Sequence, residues 1–146
     1  MSHRRGLTLI EMLVVVAVVA ILAGSLISKF QDTATEARSS ALKHNLRSLR
    51  AQLELYQSQH NGKYPSATFV ELLTSTNVDG TLSSGSGFRL GPYLVDIPVN
   101  PFTNSDTITA VSLSPATAAQ VTPGGGWLYN ATTGEVWADH AAFVSE

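Results

Sequence analysis

Apolar residues run almost without a break from Leu7 to Ile27, 21 positions interrupted only by Thr8, Glu11, Gly24 and Ser25. A helix rises about 1.5 Å per residue, so this run would extend roughly 31 Å, close to the thickness of a bilayer's hydrocarbon core. The pattern then changes. Beyond Ile27 no proline or glycine occurs before Gly62, and Leu42, Leu46, Leu49, Leu53 and Tyr56 recur at spacings of 4, 3, 4 and 3, which places them on one stripe of a helix. A single helix from Leu7 to about Gln59 is expected, with a membrane-spanning first half and an amphipathic second half. The stripe covers two heptads, short of the three or four that a coiled coil needs. Its expected partner is therefore the chain's own C-terminal part.

His60-Asn61-Gly62-Lys63-Tyr64-Pro65 ends that helix, since asparagine and glycine suit a left-handed cap and proline follows soon after. Thr68-Phe69-Val70-Glu71 fits a capping box opening a short helix through about Leu73. Ser75 to Gly87 is rich in serine, glycine and threonine and reads as a loop, and Gly91 to Pro101 as an extended segment punctuated by prolines. Thr107 to Leu113 reads as a strand, and Trp127-Leu128-Tyr129-Asn130 with Glu135-Val136-Trp137-Ala138 as a hairpin around Ala131 to Gly134. The predicted fold is α+β: a long N-terminal helix packed on a small C-terminal antiparallel β-sheet. Residues 7–27 form the apolar half of the helix, 28–60 the amphipathic half and 61–146 the globular head.

A length of 146 residues suits one small domain beyond the apolar run, and the absence of cysteine excludes disulfides and thiolate metal sites. The net charge of −2 hides an asymmetry. Residues 29–63 carry six basic side chains against three acidic ones, and residues 64–146 carry one against seven. Such blocks can guide complementary subunit contacts. The basic stretch has no aromatic stacking surface beside it, so nucleic-acid binding is not expected. Arg4 and Arg5 precede the span, which by the positive-inside tendency leaves the N-terminus in the cytoplasm and the C-terminus outside.

Catalytic chemistry leaves no trace, and no enzyme activity is expected. His3, His44, His60 and His140 fall in no HExxH pattern, and neither GxSxG nor a phosphate loop occurs. His44 and His60 read as polar positions on the exposed helix face or at its end. Gly124-Gly125-Gly126 reads as a flexible approach to a strand, and Asn130-Ala131-Thr132 as a chance glycosylation triplet in a turn.

Glu11 is the informative residue, because a charge within a membrane span costs at least about 2.5–3.5 kcal/mol and usually marks a pairing or a function. It either reaches water at the membrane surface or meets a positive charge. A cut after Gly6 would supply one, a free amine on Leu7 that could neutralise the carboxylate of a neighbouring copy. Gly6-Leu7-Thr8-Leu9-Ile10-Glu11, after a short basic leader and before the apolar run, resembles the class III signal of type IV pilins and of type II secretion pseudopilins. The resemblance implies a leader of residues 1–6, cleavage after Gly6, N-methylation of Leu7, and Glu11 as the assembly carboxylate. Leu7 departs from the phenylalanine most common there. An ordinary secretory signal peptide fits less well, because a glutamate sits in an apolar core longer than about 7–15 residues; a plain membrane anchor is the other alternative.

The glycine-x-tyrosine-proline helix exit and the segments Leu94 to Pro101 and Gly126 to Trp137 are similar, more loosely, to the head of a major pseudopilin. What the resemblance implies is a structural subunit of a pilus-like filament, a type II secretion pseudopilin driving export of folded proteins. Alternatives are a type IV pilus subunit for adhesion, motility or DNA uptake, and a membrane-anchored periplasmic enzyme or binding module. The implied partners are copies of itself, a prepilin peptidase/methyltransferase, an inner-membrane assembly platform, minor pilins or pseudopilins, and membrane lipid before assembly. The implied location is the bacterial inner membrane and then a periplasmic or surface filament. No cofactor is expected, although major pseudopilins often hold Ca2+ in a C-terminal loop; Asp96, Asn100, Asn104, Asp106 and Asp139 are the candidate oxygen donors here, without a recognisable loop signature.

Overall fold

The computed structural model describes residues 8–83 and 85–145. The chain divides into two compact units, Met1–Ala37 and Arg38–Glu146. Helix α1, Leu9–Gln59, contributes to both. In the first unit the described residues are helical from Leu9 onward and their side chains are exposed wherever they are defined.

In the second unit α1 ends as the Asn-Gly pair requires. Asn61 and Gly62 take positive φ of 54° and 80°. The Gly62 amide returns to the Gln57 carbonyl at 3.0 Å, which satisfies a carbonyl that the terminating helix would leave bare. Helix α2 is Val70–Leu73. It starts differently from the expected capping box. Phe69, not Thr68, is the cap residue, with φ 56° and no side-chain cap bond. Glu71 reaches back instead to Ser66, accepting from its amide at 3.2 Å and its hydroxyl at 2.7 Å. The left-handed turn at Phe69 drives its ring into the core, edge-on to Tyr129 at 4.6 Å.

The sheet contains β1 (Ile108–Ala110), β2 (Trp127–Asn130) and β3 (Glu135–Ala138), with β2 in the centre. The β2–β3 hairpin forms in the expected register, Trp127 opposite Ala138 and Tyr129 opposite Val136. Its turn is held by Asn130, whose Oδ1 accepts from the Thr132 amide at 2.9 Å. The sheet is mixed rather than antiparallel throughout, because β1 runs parallel to β2, Ile108 beside Trp127. Parallel neighbours need a long crossover. Residues 111–126 supply it, passing through a 3-10 turn at Ala118–Gln120.

That crossover explains why every residue of β2 is buried. Alternate side chains point to opposite faces of a strand. Trp127, Tyr129, Val136 and Ala138 meet the helical stripe, and all five stripe residues are at most 3% exposed. Leu128 and Trp137 face the other way, where Ala116 and Val144, with Val111 and Val121, cover them. The segment before β1 is stitched in by polar contacts: Trp127 Nε1 donates to Pro98 O at 2.7 Å, Asn45 Nδ2 to Val99 O at 2.9 Å, and Asn100 Nδ2 to Gly126 O at 2.9 Å. Tyr129 is buried with its hydroxyl donating to Pro65 O at 3.0 Å, and burial pushes its phenol well above the ordinary value.

Candidate processing and assembly segment

Gly6 and Leu7, the expected cleavage and methylation positions, lie outside the described residues, as do Arg4 and Arg5. One residue later the sequence motif itself builds the helix start. Thr8 precedes α1 and Glu11 sits in its first turn. The Thr8 amide and hydroxyl both donate to Glu11 Oε2 at 3.0 Å, and the Glu11 amide donates to Thr8 Oγ1 at 3.3 Å. These reciprocal bonds are a capping box, in which a threonine and a glutamate three residues apart satisfy amides that the helix start leaves without partners. Reading Glu11 only as a charge in an apolar run missed this. The Thr-x-x-Glu spacing was the signal that could have found it.

Behind Glu11 the helix is bare. Leu9, Ile10, Met12, Leu13, Val14, Val15, Val16, Val18, Val19, Ile21 and Leu22 are each at least half exposed. An 18-residue stretch of α1 reaches a mean hydropathy of 2.7 with none of it buried, long and apolar enough to cross a membrane. Water is a poor solvent for such a surface, which far exceeds the few hundred Å² of contiguous apolar area usual on soluble monomers. One carboxylate thus heads an uncovered apolar helix.

The candidate calcium donors differ in their surroundings. Asn100 is buried, with Oδ1 accepting from the Phe102 amide and Nδ2 donating to Gly126 O. Asp139 is also buried and accepts both the amide of Thr122 at 2.7 Å and its hydroxyl. Asp96, Asn104 and Asp106 are exposed. Among the described residues no three His, Asp or Glu side chains are grouped to hold a metal ion.

Other sequence candidates resolve into packing. Gly125 and Gly126 are buried, not a flexible approach: a Cβ on Gly125 would collide with the Asp139 carboxylate, and one on Gly126 would lie 2.6 Å from Ser105 O. Asn130 is 3% exposed, which leaves its amide no room for a glycan. His44 is exposed as expected, but His60 is fully buried. Its ring stacks on Tyr56 at 3.7 Å, Nδ1 lies 2.8 Å from Tyr56 O, and Nε2 lies 2.8 Å from Thr76 Oγ1. Because a carbonyl only accepts, Nδ1 carries the proton and Nε2 receives the Thr76 hydroxyl in the neutral ring.

The comparison with known families concerns the bare helix and its cap. Residues 1–27 match the model of the prokaryotic N-terminal methylation motif. The methylation motif spans the basic leader, the Thr8–Glu11 cap and the apolar run through Ile27, and is a type IV pilin-like signal. It ends before the leucine stripe and the head. Neither a curated protein nor a solved structure matches the chain.

Proposed function

We propose that this chain is a pilin-like structural subunit, stored in the inner membrane with its head outside, cut after Gly6, methylated on Leu7, and assembled into a filament of its own copies. The observation that carries the reading is the uncovered apolar helix headed by Glu11 within the methylation motif. In the membrane, lipid covers that helix. In the filament, helices of other copies replace lipid, and association then depends on packing and polar contacts because lipid tails are as apolar as leucine. A buried carboxylate needs a paired cation, and the Leu7 amine of an adjoining copy provides one at the same end of the helix.

Within this class we assign the chain to type II secretion pseudopilins, whose growing filament would drive folded proteins outward. The absence of cysteine favours this over type IV pilins that close their C-terminal region with a disulfide. The corresponding partners are a prepilin peptidase/methyltransferase, an inner-membrane assembly platform and minor pseudopilins. The reading uses no catalytic residue and no cofactor.

The intact mass of the protein purified from its native membrane tests it. The expected chain begins at Leu7 and carries one extra methyl group. A functional chain that retains Met1 to Gly6 overturns the proposal.

A further inference from the structure

Of the chain's six asparagines one is followed by glycine, Asn61. Most of the others are held or blocked. Asn45 donates to Val99 O, Asn77 Oδ1 accepts the amides of Asp79 and Thr81, and Asn130 Oδ1 accepts those of Thr132 and Thr133. Asn100 is buried and precedes Pro101, which has no N–H. Asn104 is exposed, but Ser105 follows it. Asn61 is exposed at the exit of α1, and its side-chain amide has no partner among the described residues. Gly62 beside it is exposed too, and a Cβ placed there would meet nothing within 4 Å, so its nitrogen is sterically open. Glycine also leaves the backbone freest to turn toward the side chain. One bond stands in the way. The Gly62 amide donates to Gln57 O at 3.0 Å, closing the left-handed cap in which Asn61 has φ 54°.

We propose that Asn61 is a site of spontaneous deamidation and that the cap of α1 sets its pace. When the helix end opens, the Gly62 nitrogen gives its proton to hydroxide and attacks the Asn61 Cγ. A nitrogen–carbon bond forms, the Cγ–Nδ2 bond breaks, and Nδ2 leaves as ammonia with a proton from water. Water then opens the resulting cyclic imide. Attack at Cγ gives aspartate, whereas attack at the main-chain carbonyl gives isoaspartate, whose backbone runs through the side chain and is one methylene longer. Nothing is oxidised or reduced. Neither product restores the cap. The extra methylene moves the Gly62 N–H away from Gln57 O, and a carboxylate at the C-terminal end of a helix faces the negative end of its dipole. His60 precedes Asn61 and ties the helix end to Thr76, so the loosening falls on the junction between α1 and the rest of the head.

The full-length chain in detergent, held in mildly alkaline buffer with and without guanidinium chloride, tests this. Trypsin releases Ala51 to Lys63, a peptide with Asn61 as its one asparagine. In denaturant that peptide is expected to convert into an aspartate and an isoaspartate form ahead of every other asparagine-containing peptide. A net hydrogen bond shifts an opening equilibrium by roughly two- to tenfold, so the folded chain should convert slower than the denatured one by at least that factor. Asn61→Gly keeps a left-handed cap and removes the reacting amide. After the same incubation its unfolding midpoint should be unchanged, while that of the natural chain falls. No conversion in denaturant overturns the site, and earlier conversion at Asn104 overturns the choice of Asn61. Equal rates with and without denaturant overturn control by the cap. An equal fall in the midpoints of both chains overturns the link between the modified cap and head stability.

Discussion

Thr8 and Glu11 close the start of α1 on each other, with both Thr8 donors on Glu11 Oε2 at 3.0 Å. The same carboxylate is therefore a helix cap within one copy and, in the proposed filament, the counter-charge to a neighbour's amine. The two roles can be separated. Glutamine can still reach back in a capping box but carries no charge. Glu11→Gln is expected to insert in the membrane and fail to assemble, as Glu11→Ala should. Thr8→Ala removes the cap, at about 0.5–2 kcal/mol, and should leave assembly largely intact. Filament yield in a sheared fraction, read against subunit in the membrane fraction, decides this. Normal filaments from Glu11→Gln would remove the charge-pairing role.

His60 joins the end of α1 to Thr76 through two buried ring nitrogens. His60→Phe keeps a ring against Tyr56 but leaves the Thr76 hydroxyl and the Tyr56 carbonyl without these partners. Leaving a buried polar group unsatisfied costs about 1–3 kcal/mol, and a fall in head stability of that size is expected. Trp127 and Trp137, the chain's two tryptophans, are both buried in the head, so tryptophan emission during urea unfolding in detergent reports it directly.

Gly134 holds φ +75° in the hairpin turn, with the Tyr64 ring where a Cβ would stand. Gly134→Ala meets two penalties, a left-handed conformation costing about 1–2 kcal/mol and overpacking of about 1–3 kcal/mol. Adding Tyr64→Ala should relieve the second penalty and not the first. A double-mutant cycle from the same unfolding assay reads the coupling. Simple additivity would show that the ring moves aside freely.

Glu135 accepts hydrogen bonds from Ser114 and, at 2.7 Å, from Thr133. These hydroxyls, with a smaller pull from Arg50, hold its carboxyl below the usual value. A carboxyl depressed in the folded state stabilises above its unfolded value of about 4.3 and loses that contribution as pH falls through the lower folded value. The stability difference between the natural chain and Glu135→Gln should therefore be present at neutral pH and shrink below about pH 4. A difference that grows with acidity would contradict the assignment.

The elements written in local periodicity are legible in the sequence itself. The leucine stripe announces which helix face is buried, and Asn61-Gly62 announces where the helix stops. The hairpin follows from aromatic and β-branched runs about a turn. What stays hidden depends on distant partners. No local pattern tells Ile108 to pair with Trp127 in parallel, because that choice is made by a 16-residue crossover finding the outer face of the sheet. His60 reads as polar and terminal, and only the return of Thr76 gives its ring a reason to be buried. Thr68-x-x-Glu71 has the spacing of a cap, but Ser66 captures the glutamate. Thr8-x-x-Glu11 has the same spacing and uses it.

The stripe and the hairpin that covers it leave the ribosome far apart in time. About 70 residues separate Tyr56 from Trp127. At about 5–20 residues per second the leucines wait several seconds for their cover. In the proposed membrane subunit the apolar helix can reach the bilayer in that interval, so the order of synthesis would place insertion ahead of head closure. A nascent chain stalled before Trp127 is expected to be digested readily by protease beyond the membrane, and one stalled long enough for Ala138 to clear the exit tunnel to resist it.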